Sequence, residues 1–160
     1  ELQRLRAEAD RAKLFVTREN LAPAAQKLFG ELVRLEGNNP TALKRAYERI
    51  GQSLNARVVE EATFKTGSAA LAMEHEDHIQ ASSRQAPGNA FFLVVGYASK
   101  SGGSKSNREL SAKRATTVAS VVNVLKQAGQ GVQAVYLGET DRFGAQAIPN
   151  QVCEIWEIRP

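Results

Sequence analysis

With 160 residues, 42% of them apolar and 24% charged, the chain can bury a core of its own and reads as one soluble globular domain or one domain with a helical extension. Its longest unbroken apolar run is about "FFLVV", far short of the ~20 residues a membrane span needs, and its single cysteine excludes an internal disulfide and any Cys-rich zinc module. The net charge of +4 lies in the N-terminal part, where residues 1–57 carry 11 Lys/Arg against 7 Asp/Glu, while residues 58–160 carry 10 of each.

The first stretch, "ELQRLRAEADRAKLF", interleaves both signs and places Leu2, Leu5, Ala9 and Ala12 at helical spacing, which predicts a solvated helix packed on a partner. Nucleic acid would call for a one-signed stripe or interleaved aromatics, and neither is present. The sequence opens at Glu1 without Met or an apolar leader, so any export signal or membrane anchor is expected upstream of Glu1. A second helix is predicted from Pro23, with Leu28, Leu32 and Leu35 as its stripe and Gly37 as its stop. Asn39 as N-cap and Pro40 at the first position begin a third, with Leu43, Ala46, Tyr47 and Ile50 on one side. Residues 1–55 therefore read as a helical region, suited to binding a protein partner or a second copy of the chain.

From residue 56 the period changes. "ARVVEEATF" predicts a strand, closed by the turn "KTGS" with Ser68 as N-cap of a helix over residues 69–83. After the breaker "APGN", "AFFLVVGY" is an apolar run short enough to be a strand buried on both faces. The loop "ASKSGGSKS" leads to a long helix, "SNRELSAKRATTVASVVNVLK", ended by Gly129 and Gly131. "VQAVYLGE" and "QVCEIWEI" are the last two strands. The expected fold is an α/β (α+β) two-layer sandwich, a mixed four-stranded sheet in β-α-β-α-β-β order with helices packed on it, behind the N-terminal helical segment. The last strand alternates: Cys153 and Ile155 point one way, Glu154, Trp156 and Ile158 the other. The second of these faces needs a cover, and residues 1–55 are expected to supply it.

One residue breaks the pattern of the long helix. Leu110, Val118, Val121, Val122 and Leu125 gather on its apolar face, and Arg114 falls in the middle of that face. "SNRE" has the form of a capping box around Ser106 and Glu109, with Asn107 an equally good cap, so Arg114 lies within two turns of the helix start. A buried guanidinium needs a partner. Free amides at the helix N-terminus, together with the flexible Gly102 and Gly103 before it, make a pocket for a carboxylate-bearing ligand. An internal pair with Glu139 or Glu154 explains Arg114 equally well.

Other candidates carry less. His75 and His78, three apart on a predicted helix, share a face, but no third ligand stands beside them, and no metal or other cofactor is expected. Cys153, inside a strand, reads as a small buried hydrophobe. No nucleophile–base grouping is visible, and the loop "SKSGGSKS" has no histidine near it, so an enzyme is not expected.

"VVGYASKSGGSKSNRELSAKRATTVASVVNVLKQAG" resembles the core of the OmpA-like peptidoglycan-binding domain, a module shared with flagellar stator proteins of the MotB type. The family pattern is a strand ending in Gly-His/Tyr-Thr-Asp, a polar loop, then Asn-x-x-Leu-Ser-x-x-Arg-Ala; Asn107, Leu110, Ser111, Arg114 and Ala115 fill its second half. "FKTGSAAL", "YLGETDRF" and "NQVCEI" are similar to further family segments, and the likeness covers residues 57–159. It implies an OmpA-like domain at residues 56–160 in the periplasm or cell envelope of a Gram-negative-type bacterium. It further implies non-catalytic binding of the diaminopimelate of a peptidoglycan stem peptide, the arginine taking a carboxylate and a strand-end aspartate the ammonium. Arg114 matches the arginine, with Ser99, Gly102, Gly103, Asn107 and Leu110 around the ligand. Ser99 stands where the family has its aspartate, Lys100 follows it, and Gln151 and Val152 replace an arginine pair. These departures imply weakened peptidoglycan binding; the alternative is a degenerate OmpA-like domain used as a protein-interaction or scaffold module.

Overall fold

The computed structural model describes residues 14–35, 40–65, 67–99, 104–140 and 152–160. Among them the elements run α1 (Pro23–Val33), α2 (Pro40–Leu54), β1 (Ala56–Thr63), α3 (Met73–Gln85), β2 (Phe91–Ser99), α4 (Ser104–Leu125), β3 (Gly131–Thr140) and β4 (Val152–Ile158). The strands form one sheet in the order β1-β4-β2-β3. β4 pairs antiparallel with β1 and β2, while β2 and β3 are parallel and joined by α4. This is the mixed sheet and the β-α-β-α-β-β order expected from the hydrophobic periods.

Each face of the sheet carries its own apolar cluster. On one, Phe92, Val94, Cys153 and Ile155 meet Ile79 of α3 and Ala115, Val118, Ala119 and Val122 of α4. On the other, Leu93, Val95, Trp156 and Ile158 meet Leu28 and Leu32 of α1 and Ile50 of α2. The alternation read in the last strand is present, and Trp156, with no exposed surface, sits under the N-terminal helices. Tyr47 of α2 meets it edge-on, ring centroids 4.8 Å apart.

The N-terminal part is not helical throughout. Phe15 bridges in parallel to Ala134 of β3, and Val16 N–H donates to the Ala134 carbonyl at 2.9 Å. The outer edge of β3 offers unpaired backbone groups, and this segment takes them up. Gln133 of β3 then holds the next turn, accepting from Ala22 N–H and donating to the Asn20 carbonyl. Residues 1–13 of the helix expected over "ELQRLRAEADRAKLF", and the stop and cap at Gly37 and Asn39, lie outside the described residues.

Three helix boundaries differ from expectation. α1 ends at Val33, so Leu35 of the expected stripe packs against the cluster from beyond the helix. α4 starts at Ser104, which places Ser106 and Asn107 inside its first turn rather than at its cap. Ser104, Ser106 and Asn107 are all competent starters, and composition does not choose among them. α3 starts at Met73 instead of residue 69, with Ala72 as an N-cap that makes no side-chain bond. Ser68 caps no helix: its Oγ accepts from Ala70 N–H at 3.1 Å, a local turn that competes with a helix start.

A carboxylate lies between the sheet and α2. Glu154, fully buried, accepts from Tyr97 Oη at 2.7 Å and Trp156 Nε1 at 3.3 Å on one oxygen, and from Tyr47 Oη at 2.7 Å on the other. Burial raises its pKa above the ordinary 4.5, although the three donors oppose the shift. In the window above 4.5 the folded chain therefore holds a proton that the unfolded chain has released. Glu154's contribution to stability is full below that window and falls as pH rises through it. Glu154→Gln is expected to flatten the decline in stability as pH rises above about 4.5, measured by urea unfolding at several pH values. A variant with the same pH slope as the parent would show that Glu154 does not bind the proton.

Candidate functional site

The C-terminal end of β2 and the first turns of α4 come together because position 96 is a glycine. A Cβ there would lie 3.2 Å from Ala115 Cβ and 3.2 Å from the Ser111 carbonyl oxygen, so a larger residue would push the helix away. Ser111, buried, donates through Oγ to the Tyr97 carbonyl at 3.0 Å and fixes the helix to the strand end. Arg114, one turn on, is 2% exposed, as the helical stripe predicts.

Two backbone carbonyls that the sequence pattern does not mark hold its guanidinium. Nε donates to the Ser68 carbonyl at 2.7 Å and a terminal nitrogen to the Lys65 carbonyl at 3.1 Å. The guanidinium carbon lies 5.1 Å from the Phe64 ring centroid. Arg114 thus clamps the β1–α3 connection from inside. Glu154 points to the opposite face of the sheet, occupied with Tyr47, Tyr97 and Trp156, so that pairing is ruled out. Glu139 is aligned with Ala98 in the β2–β3 register, and its side chain lies outside the described residues. Among the described residues no carboxylate forms an ion pair with Arg114. Burial lowers its pKa, but a guanidinium stays charged. Backbone acceptors such as Lys65 and Ser68 leave no mark in a side-chain pattern, which is why sequence reasoning missed them.

Ser99 ends β2 opposite Thr140 of β3; its side chain, like all of Gly102 and Gly103, lies outside the described residues. Asn107 and Leu110, on the first turns of α4, are half-buried. Gly138, near the end of β3, has φ +137°, a conformation side chains resist, just past the register shift that lies opposite Gly96 and Tyr97. Ends of parallel strands, a helix start and a buried cation therefore meet at one corner of the sheet, the usual place for a ligand in such sheets. Cys153, on the α4 side of β4, is buried, and burial pushes its thiol up to about 12, which makes it a packing residue. His75 and His78 share a face as expected, but Glu60 of β1 meets both of them.

A model of the OmpA family matches residues 63–152. The chain belongs to the OmpA family. Its fold is shared with the peptidoglycan-associated lipoprotein from Burkholderia pseudomallei, at TM-score 0.50 and 20% identity over 61% of this chain and 88% of that one. The periplasmic domain of MotB is also similar, at TM-score 0.46 and 15% identity over 66% of this chain and 62% of that domain. The curated proteins include no match to the sequence. The family match runs from Thr63 to Val152, so helices α1 and α2, all of β1 but its last residue and all of β4 but its first lie outside it.

Proposed function

We propose that this OmpA-family chain is a non-catalytic periplasmic domain that binds peptidoglycan stem peptide of the diaminopimelate type through Arg114. The observation that carries the reading is the buried guanidinium inside the family motif, whose described acceptors are neutral carbonyls. Two carbonyls orient the cation without cancelling its charge, and a ligand carboxylate is the complement it lacks. Asn107 and Leu110 on the first turns of α4, with Ser99, Gly102 and Gly103 before it, form the rim. Residues 56–160 carry the site; residues 1–55, whose α1 and α2 pack over Trp156, serve as the place for a protein partner or second copy. Among the described residues no helix is long and apolar enough to cross a membrane. Scaffold use is the second reading, favoured by the clamp that Arg114 already makes on its own chain.

Ser99→Asp discriminates between them. A restored anion is expected to tighten binding of a diaminopimelate-containing muropeptide at least tenfold, in line with the ~2–5 kcal/mol at stake when one member of a charge pair is missing. The gain should vanish in an Arg114→Lys background, since two groups gripping one zwitterion act non-additively. Calorimetry on the four proteins checks this. No gain from Ser99→Asp with Arg114 intact would favour the scaffold reading.

A further inference from the structure

Away from Arg114's ligand-facing corner, three side chains from two elements converge on one point. His75 Nδ1 lies 3.1 Å and His78 Nδ1 2.7 Å from the same oxygen, Oε2 of Glu60. The three ligand-type atoms all fall within 4.8 Å of one another. We propose that Glu60, His75 and His78 form a three-ligand site for a divalent transition metal of the zinc type, with the fourth position open.

The fold is arranged to bring them together. His75 and His78 are the third and sixth residues of α3, so helical geometry puts both imidazoles on one side. Glu60 reaches that side through a β-bulge. The β1–β4 register slips between Val58 and Glu60, leaving Val59 as the extra residue. Before the slip, Ala56 and Val58 pack in the cluster under α1 and α2; after it, Ala62 and Phe64 pack in the cluster under α3 and α4. Without the bulge, Glu60 would share the face of Ala56 and Val58, away from both histidines. Bulges recur where a side chain must be re-aimed.

The donor set suits the ion. Two imidazole nitrogens and one carboxylate oxygen, with a fourth position for water, is a recurrent zinc arrangement, and copper or nickel would also bind such a set. Tetrahedral ligands with bonds of about 2.0–2.1 Å stand about 3.3 Å apart, so the two nitrogen–oxygen contacts of 3.1 and 2.7 Å need to open by about 0.2 and 0.6 Å, and all three ligand atoms already lie within 4.8 Å of one another. The loaded form presents the Nδ1 lone pairs and carries the imidazole protons on Nε2. That replaces the two Nδ1···Oε2 hydrogen bonds to Glu60 with metal bonds and gives up the long 3.5 Å contact of His75 Nε2 with Thr63 N–H. Access is present as well: the Glu60 and His75 side chains are 13% and 14% exposed, while His78 is 64% exposed and leaves its side of the site open. A metal here would cross-link β1 to α3 and close the connection whose Lys65 and Ser68 carbonyls Arg114 holds. The site stands independently of the ligand reading.

Titration of the metal-free chain with Zn2+, and with Co2+ followed by its visible d–d absorption, tests the site. One ion per chain is expected, with a Kd in the micromolar range or tighter and a thermal midpoint that rises by a few degrees at saturation. His78→Ala and Glu60→Gln should each weaken binding at least tenfold and abolish the midpoint shift. Because His78 is mostly solvent-exposed, its variant is expected to retain the parent's circular dichroism. No binding by about 1 mM Zn2+ (a standard free energy near −4.1 kcal/mol) would overturn the proposal. So would binding that is unchanged in both variants.

Discussion

Arg114→Ala is expected to destabilise the chain by about 2–4 kcal/mol and to abolish capture of isolated peptidoglycan. The first figure follows from the clamp: two charge-assisted bonds to the Ser68 and Lys65 carbonyls are lost together with the stacking on Phe64. Truncation also leaves a hole among side chains that pack at full density around a residue only 2% exposed. Arg114→Lys keeps the charge but not the fork that reaches two acceptors, so it should recover part of the stability and little of the binding. Urea unfolding gives the first quantity and sedimentation with sacculi the second. Hydrogen exchange should localise the change, with the Ser68 amide, which donates to the Lys65 carbonyl at 2.9 Å, exchanging faster in both variants. An Arg114→Ala protein as stable as the parent would show that the guanidinium does not hold the β1–α3 connection.

Trp156→Ala should cost more, about 3–5 kcal/mol, because a large, fully buried ring is removed from between the sheet and the N-terminal helices. The change strips Tyr47 of its edge-on partner and Glu154 of one of three donors. Against the 5–15 kcal/mol typical of a whole domain, the variant should sit close to its unfolding threshold at ambient temperature. Trp156→Phe keeps most of the apolar volume and should cost well under half as much. Guanidinium unfolding of both variants checks the ranking. A small effect of Trp156→Ala would mean that α1 and α2 lie on the sheet without being packed into it.

Much of this molecule is legible in its sequence. The unbroken apolar run "FFLVVGY", the alternating "VCEIWEI" and the apolar stripe of "SNRELSAKRATTVASVVNVLK" are local patterns, and each became the expected element. The alternation in β4 correctly announced two buried faces and a cover for Trp156, since a side-chain period of two leaves no freedom once one residue is placed. The motif around Arg114 identified the family for the same reason: its residues are neighbours on one helix.

What only the tertiary structure decided depends on contacts between distant segments. Arg114 turned out to hold the carbonyls of Lys65 and Ser68, backbone groups that every residue possesses and no residue type advertises. Glu154, a plausible partner for Arg114 on spacing, went to Tyr47 and Tyr97, because its strand turns that side chain toward the other face. Glu60 became the third group beside His75 and His78 through a bulge at Val59, a one-residue slip that reverses which side chains face α3. A single inserted phase change leaves composition and periodicity almost unaltered, yet it moves a carboxylate from one side of the sheet to the other. Local patterns determine which elements form; the register between them determines which chemistry meets.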